Sequence, residues 1–238
     1  MLIFLDLKTT GLEKSDKICS IGSIVIDTNH TEVKYELINE SKKITPKASS
    51  IHHITNEMIQ NKPRFQESDI YRFLQSHNNP DTTIVIHNAG FVLERLSLHG
   101  LRWVGGVIDT LRVTKHLVSE CEFFSLQFLR YELKLYRHEE QQSLHYGINP
   151  NIIAYNSLSD ALIIKLLYDY LLDYATMDEM SELSFKNVLI EKLGFGKYAN
   201  KYIEEIAMND RRYLEWLLGN ITDMDEDLRY SIEHYIGK

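Results

Sequence analysis

Cysteine is nearly absent from this chain, with Cys19 and Cys121 the two thiols in 238 residues. Two thiols cannot make a disulfide framework, and no His or Cys pair stands at zinc-ligand spacing, so both are expected to be reduced. Also missing is any apolar run near the roughly 20 residues that cross a bilayer, and the apolar stretch at the start is too short for a signal peptide. No membrane role and a cytoplasmic location are therefore expected. Nor is there a basic excess: the formal charge is −8. Phosphate neutralisation needs a basic face, so any nucleic-acid binding has to come from a local groove. No internal repeat or low-complexity tract is evident. What is present, 44% hydrophobic and 25% charged residues, is the make-up of a globular protein. The length suits one domain of moderate size plus a small appendage.

The first twelve residues organise the rest. Leu2-Ile3-Phe4-Leu5 is fully apolar and ends in Asp6, followed by Leu7-Lys8-Thr9-Thr10-Gly11-Leu12, which reads as a buried strand running into a polar turn. A carboxylate at such a strand end can hold a metal or a substrate. Alternating apolar and polar residues over 18–26 and 32–38 predict two antiparallel strands that complete a three-stranded meander. Residues 68–75 read as a helix and 82–86 as a β-branched strand of the buried, parallel type. Residues 108–111 repeat that theme, 125–135 form an amphipathic helical pattern, 141–151 read as a polar loop, and a long helix is expected from 154 to about 173. Alternating strands and helices imply an α/β sheet that binds ligands at the carboxyl ends of its strands. Ser157 and Asp160 stand at capping-box spacing, a structural reason for Asp160 that needs no chemistry.

Asp6-Leu7-Lys8-Thr9-Thr10-Gly11-Leu12 resembles the first motif, Asp-x-Glu-Thr-Thr-Gly-Leu, of the DEDDh 3′-to-5′ exonucleases. This superfamily includes the proofreading subunit of bacterial DNA polymerase III, ribonuclease T and exodeoxyribonuclease X. His87-Asn88-Ala89-Gly90-Phe91-Val92 is similar to its second motif, His-Asn-Ala-x-Phe-Asp. Tyr155-Asn156-Ser157-Leu158-Ser159-Asp160-Ala161 is similar to its third, His-Asn-Ala-Leu-Ser-Asp-Ala. Ile51-His52-His53-Ile54-Thr55 resembles the segment Ile-His-Gly-Ile-Thr, with His53 where Gly is usual; both histidines also fit a plain loop. Three motifs in the right order imply a ribonuclease H-like exonuclease domain, a mixed sheet flanked by helices, over residues 1–172.

The resemblance also shows what this chain lacks. Family members hold two divalent ions, Mg²⁺ or Mn²⁺, about 4 Å apart on four carboxylates, and a His takes the proton of the attacking water. Three of these five catalytic positions are substituted: Lys8 stands for a Glu, Val92 for an Asp and Tyr155 for the His. Asp6 and Asp160 remain, the two residues left to ligate any metal that binds. Formal charge over the four acid positions changes from −4 to −1, and an ammonium is introduced where a dication belongs. A Lys between two carboxylates relieves their repulsion, so Lys8 is expected to replace the first metal by pairing with Asp6 and Asp160, leaving metal binding weak or absent. Tyr155, with a reference pKa of about 10, is a poor base near neutral pH. Glu94, turned about 200° from Val92 on a helix, Glu13, His87 and His145 are the neighbours considered as substitutes. Each of the three changes is reachable by one nucleotide substitution, the pattern of drift at an abandoned site.

The resemblance further implies a pocket for a 3′-terminal nucleotide built from Thr10, Gly11, Leu12, Asn88 and Phe91, although Leu12 and Phe91 also fit core packing. From about Phe185 the text changes. Leu193-Gly194-Phe195-Gly196-Lys197-Tyr198-Ala199-Asn200 resembles the small C-terminal domain of exodeoxyribonuclease X-like proteins, in which a Phe-Gly-Lys-Tyr hairpin precedes short helices. Asn200 replaces the turn Gly and tolerates the left-handed conformation. Residues 173–184 read as a linker and 185–238 as this second, mostly helical domain. Residues 178–238 hold 13 acids against 8 Lys plus Arg, a net of −5, which does not favour duplex binding. Lys197 and Tyr198, with Lys201, Arg211 and Arg212, still make a candidate basic and aromatic patch. Three readings stay open: a degenerate homologue that binds single-stranded DNA or RNA 3′ ends or a protein partner, an active exonuclease with an unusual ligand set, and a scaffold role without nucleic acid, which the acidic balance also fits. A homodimer is the base-rate expectation for assembly.

Overall fold

A computed structural model describes residues 1–28, 30–148 and 156–237. They divide into two compact units, Met1–Ser184 and Phe185–Lys238.

In the first unit, β1 (Leu2–Thr9), β2 (Ile18–Asp27) and β3 (His30–Leu37) pair antiparallel as the expected meander. Helices α1 (Pro46–His52), α2 (Asn56–Ile59) and α3 (Asp69–Ser76) then lead to β4 (Thr83–Ile86), α4 (Ala89–Leu98) and β5 (Gly106–Asp109). β4 lies parallel to β1 and β5 parallel to β4, giving the mixed order β3-β2-β1-β4-β5. The unit closes with α5 (Thr110–Leu117), α6 (Leu126–Glu132), α7 (Tyr136–His145), α8 (Ser157–Leu171) and α9 (Met177–Leu183).

Strand periodicity decides which side chains of β1 meet which layer. Ile3, Leu5 and Leu7 enter the core shared with Ile70 and Leu74 of α3 and Leu96 of α4. Phe4 enters the opposite core, shared with Leu158, Leu162 and Leu166 of α8. Asp6 and Lys8 are in phase with Phe4 and so face α8. That helix lies tight on β2 at Gly22, where an added Cβ would fall 2.6 Å from the Leu158 Cα, and buried Ser20 and Ser157 hydroxyls meet at 2.6 Å beside it.

Three details differ from the expectations. The capping box at Ser157 is not formed: Asn156 is the N-cap, its carboxamide oxygen accepting from the Leu158 and Ser159 amides at 2.9 and 2.8 Å. Ser157 is thereby free for Ser20, and Asp160 for the site. The single helix expected over 125–135 breaks, because Lys134 takes a left-handed φ of 58° between α6 and α7, and α7 runs into the segment read as a polar loop. In 173–184, read as a linker, α9 has a Thr176–Glu179 capping box and buries Met180 in the first unit's core.

The second unit packs α10 (Ile203–Asn209), α11 (Arg211–Asn220) and α12 (Glu226–Ile236) around Leu193, Ile206, Leu214 and Ile232. Before them an antiparallel bridge joins Lys192 to Tyr202, and Asn200 takes a φ of 65° in the turn between. Among the described residues no helix is long and apolar enough to cross a membrane.

Candidate active site

Lys8 lies between the two retained carboxylates. Its Nζ is 2.8 Å from Asp6 Oδ2 and makes a short ion pair with Asp160 Oδ2. Asp6 comes from the strand that starts the sheet and Asp160 from the first turn of α8, brought over β1 by the Gly22 contact. The side chains of Lys8, Asp6 and Asp160 are 17, 15 and 7% exposed, so this charge cluster is largely out of water. Asp160 is further held through Oδ1, which accepts from Gln127 Nε2 of α6 at 2.7 Å. Asp6 Oδ2 lies 2.8 Å from the Lys8 ammonium but outside favourable hydrogen-bond geometry.

Electrostatics follow from that burial. Desolvation pushes the Asp6 carboxyl up to about 6, opposed by the Lys8 charge and reinforced by that of Asp160. Desolvation would lower Lys8, but Asp6 and Asp160 outweigh it and hold its ammonium above the ordinary value. The lysine is therefore a fixed cation at any physiological pH.

The other substituted positions divide. Val92, on α4, is 3% exposed and packed in the core with Leu5, Ile86 and Leu96. Tyr155 lies outside the described residues. None of the neighbours considered as substitutes joins the two acids. Glu94 is exposed on the far side of α4, and Glu13 is exposed on its loop. His145 is exposed, its ring against Tyr146. His87 has both ring nitrogens engaged, with Thr110 Oγ1 at 3.0 Å and the Phe124 carbonyl at 2.9 Å. Among the described residues no group of three or more His, Cys, Asp or Glu side chains is placed to hold a metal ion. The donor set, two carboxylates with an ammonium between them, does not fit the divalent ions that the family uses.

Beside Lys8 opens a cleft of about 590 Å³ whose walls include Gly11, Leu12, Lys47, Ile51 and Phe91. Leu12 is 75% exposed there. Thr10 does not face the cleft: it is 1% exposed and its hydroxyl donates to Asp16 Oδ1 at 2.9 Å. Asn88 caps α4 with a φ of 71° and accepts from the Phe91 amide. Its own amide and that of Ala89 donate to the buried Asp109, each at 2.9 Å, so Asp109 builds the second-motif turn. His52 is structural: Nδ1 accepts from the Ile54 amide at 3.1 Å, leaving Nε2–H for the Thr9 carbonyl at 3.2 Å, and His53 takes the left-handed φ of 59°. In the second unit Lys197 and Tyr198 both turn to Asp210, at 3.1 and 2.9 Å.

Gln127, Asp109 and Asp16 were not singled out from the sequence. Asp109 closes the apolar run of β5, which is a usable signal, whereas Asp6 lies within β1, which continues to Thr9. Gln127 gave none, because it reaches Asp160 from another helix.

The sheet order, the crossing of α8 over β1 and the motif residues at the strand ends define a ribonuclease H-like exonuclease fold. Comparison with known proteins agrees. Residues 3–149 match the Exonuclease family, and 193–222 match the exodeoxyribonuclease X-like C-terminal family. The chain belongs to the exonuclease family. Exodeoxyribonuclease 10 of Escherichia coli strain K12 is 26% identical over 239 residues, 99% of each chain. The DNA polymerase III subunit epsilon of Treponema pallidum is 40% identical over 96 residues, 39% of this chain and 42% of its own. A solved structure of exonuclease X in complex with 5′ overhanging duplex DNA superposes with a TM-score of 0.60 at 21% identity, covering 77% of this chain and 99% of that one.

Proposed function

We propose that this chain is a non-hydrolysing member of the exonuclease family that seats the 3′ end of a single strand in the cleft beside Lys8. One observation carries the reading: the ammonium of Lys8 fills the space between Asp6 and Asp160, where hydrolysis needs a dication to generate hydroxide. A lysine in that place can neither lower the pKa of a water nor polarise a phosphodiester as a metal does. Val92, buried among apolar side chains, supplies no ligand to draw an ion back.

The cleft supports retained binding. Leu12 and Phe91 offer apolar surface for a terminal base, and Lys47, exposed on the rim, offers a charge to phosphate. Exonuclease X, a relative in fold, is solved in complex with DNA, which supports DNA as the first probe.

The test is exonuclease activity on a 5′-labelled single strand with Mg²⁺ and with Mn²⁺, with binding of the same strand followed by anisotropy in EDTA. The native chain is run beside Lys8→Glu/Val92→Asp/Tyr155→His, with Asp6→Ala as the contamination control. The expected result is binding without cleavage by the native chain and cleavage by the triple variant. Cleavage by the native chain that Asp6→Ala abolishes would establish the contrary reading, an active enzyme with another ligand set.

A further inference from the structure

The loop that carries Leu12 is gripped from beneath by a residue that no motif includes. Arg95, on α4, is 2% exposed, and no carboxylate among the described residues pairs with it. Its guanidinium donates to three backbone carbonyls of one loop: Leu12 at 3.2 Å, Lys14 at 3.1 Å and Asp16 at 3.1 Å. The same guanidinium lies over the Phe91 ring, 4.9 Å from its centroid. One turn further along, His99 Nδ1–H donates to the Arg95 carbonyl at 2.7 Å, and its Nε2 accepts from the Ile18 amide at 3.3 Å.

A buried cation needs its donors satisfied. Here Nη1 and Nη2 take carbonyls of a segment about eighty residues away in sequence while Nε is buried without a partner, so lifting the loop would strand the charge. From the cleft side Asp16 closes the grip, accepting from Thr10 Oγ1 and the Glu13 amide at 2.9 Å each and pairing with Lys42 at 2.8 Å. The segment is therefore clamped on both sides while Leu12 stands out into the cleft.

We propose that Arg95 is a positioning residue of this cleft: it locks the Leu12–Asp16 loop and steadies Phe91, so that both apolar walls are in place before a strand end arrives. This rests on the function proposed above, because a fixed wall matters only if something is received against it. Preorganisation of this kind raises affinity by removing an ordering cost from the binding step.

Two measurements on the full chain separate the clamp from the ligand. The first is native-state hydrogen exchange in the native chain, Arg95→Lys and Arg95→Met. Lysine keeps the charge, but its single ammonium cannot span three carbonyls. Exchange in peptides covering 10–17 is expected to quicken at least tenfold in Arg95→Lys, with peptides over 20–26 of β2 unchanged. Unaltered exchange over 10–17, or equal acceleration in β2, overturns the clamp. If Arg95→Met does not fold, Arg95→Lys decides.

The second measurement places 2-aminopurine at the 3′-terminal base or at the fifth base of a 5′-labelled single strand. The native chain is expected to alter the fluorescence of the terminal base. In Arg95→Lys that signal should fall at least fivefold in amplitude at saturation, while anisotropy shows affinity within tenfold of native. An unchanged terminal signal overturns the positioning role. If the native chain binds no single strand, the proposed function has failed, and the positioning role fails with it even where exchange confirms the clamp.

Discussion

Removing the Lys8 charge tests the centre of the structure most directly. In Lys8→Met the side chain matches lysine as far as Cε but leaves Asp6 and Asp160, 15 and 7% exposed, facing each other without a cation. Breaking a buried pair by deleting one partner costs about 3–5 kcal/mol, against a total stability on the order of 5–15 kcal/mol. At roughly 2–4 °C per kcal/mol for a domain of this size, the melting temperature should fall by about 6–20 °C near pH 8. The deficit should shrink in acid. Asp6 is already raised from 3.8 to about 6 in the folded chain, so the native state binds its proton more tightly than the unfolded state. The Asp6 contribution to stability therefore declines as pH rises from about 4 through 6 and is level above. Without Lys8 that window extends upward, making the loss larger at pH 8 than at pH 5. Lys8→Glu should be destabilised in EDTA and recover in Mn²⁺. An ion present at a hundred times its dissociation constant adds about 2.7 kcal/mol, or roughly 5–11 °C on the same scale. The native chain should melt at one temperature with or without Mn²⁺. Thermal melts at both pH values, in EDTA and in Mn²⁺, suffice. A native chain stabilised by Mn²⁺ as much as Lys8→Glu, or a Lys8→Met variant as stable as native at pH 8, would refute the reasoning.

Two further outcomes follow from the framework around the site. Gly22→Ala should cost at least about 1–3 kcal/mol by overpacking, because its Cβ would fall 2.6 Å from the Leu158 Cα; a denaturant melt unchanged from native would contradict the close contact of α8 with β2. Burial would lift Asp16, but Lys42, Thr10 and the Glu13 amide hold its carboxyl below the usual range. Its contribution is therefore present above the unfolded value of about 3.9 and lost as pH falls through the lowered folded value. Asp16→Asn should cost about 1.5–3 kcal/mol at pH 7 and progressively less below pH 4, measured by urea unfolding across that range; a deficit that grows in acid would be inconsistent with a depressed carboxyl.

The strands were legible because apolar runs and period-two alternation report burial directly, and the motifs then located Asp6, Lys8, Val92 and Asp160 on β1, α4 and α8. The Lys8 pairing followed from the motif resemblance, which brings Asp6 and Asp160 to one site, together with the charge of the lysine. What escaped notice depends on tertiary contact. Arg95 sits in a helix where arginine ordinarily reads as solvent-facing, and only the fold brings the 12–16 carbonyls to it. Gln127 reaches Asp160 from another helix. The break at Lys134 was hidden because lysine carries no left-handed signal of the kind Gly or Asn gives. The helix over 177–183 was missed because one buried residue, Met180, anchors a polar segment.

Charge balance connects the substitutions. In the family pattern four carboxylates and two dications balance in charge, and buried carboxylates without cations repel one another. Here two carboxylates and one ammonium leave a single negative charge, and Asp6 is raised first by desolvation and then by Asp160 against the opposing charge of Lys8. Lys8 differs from a metal in one respect that matters: it is covalently part of the chain and cannot dissociate. With the cation fixed, the position of Val92 no longer has to satisfy an ion and can be apolar, as its place in the core requires. On the function proposed above, the lysine at position 8 compensates the remaining pair of acids within the chain itself, while Leu12 and Phe91 line the cleft beside it.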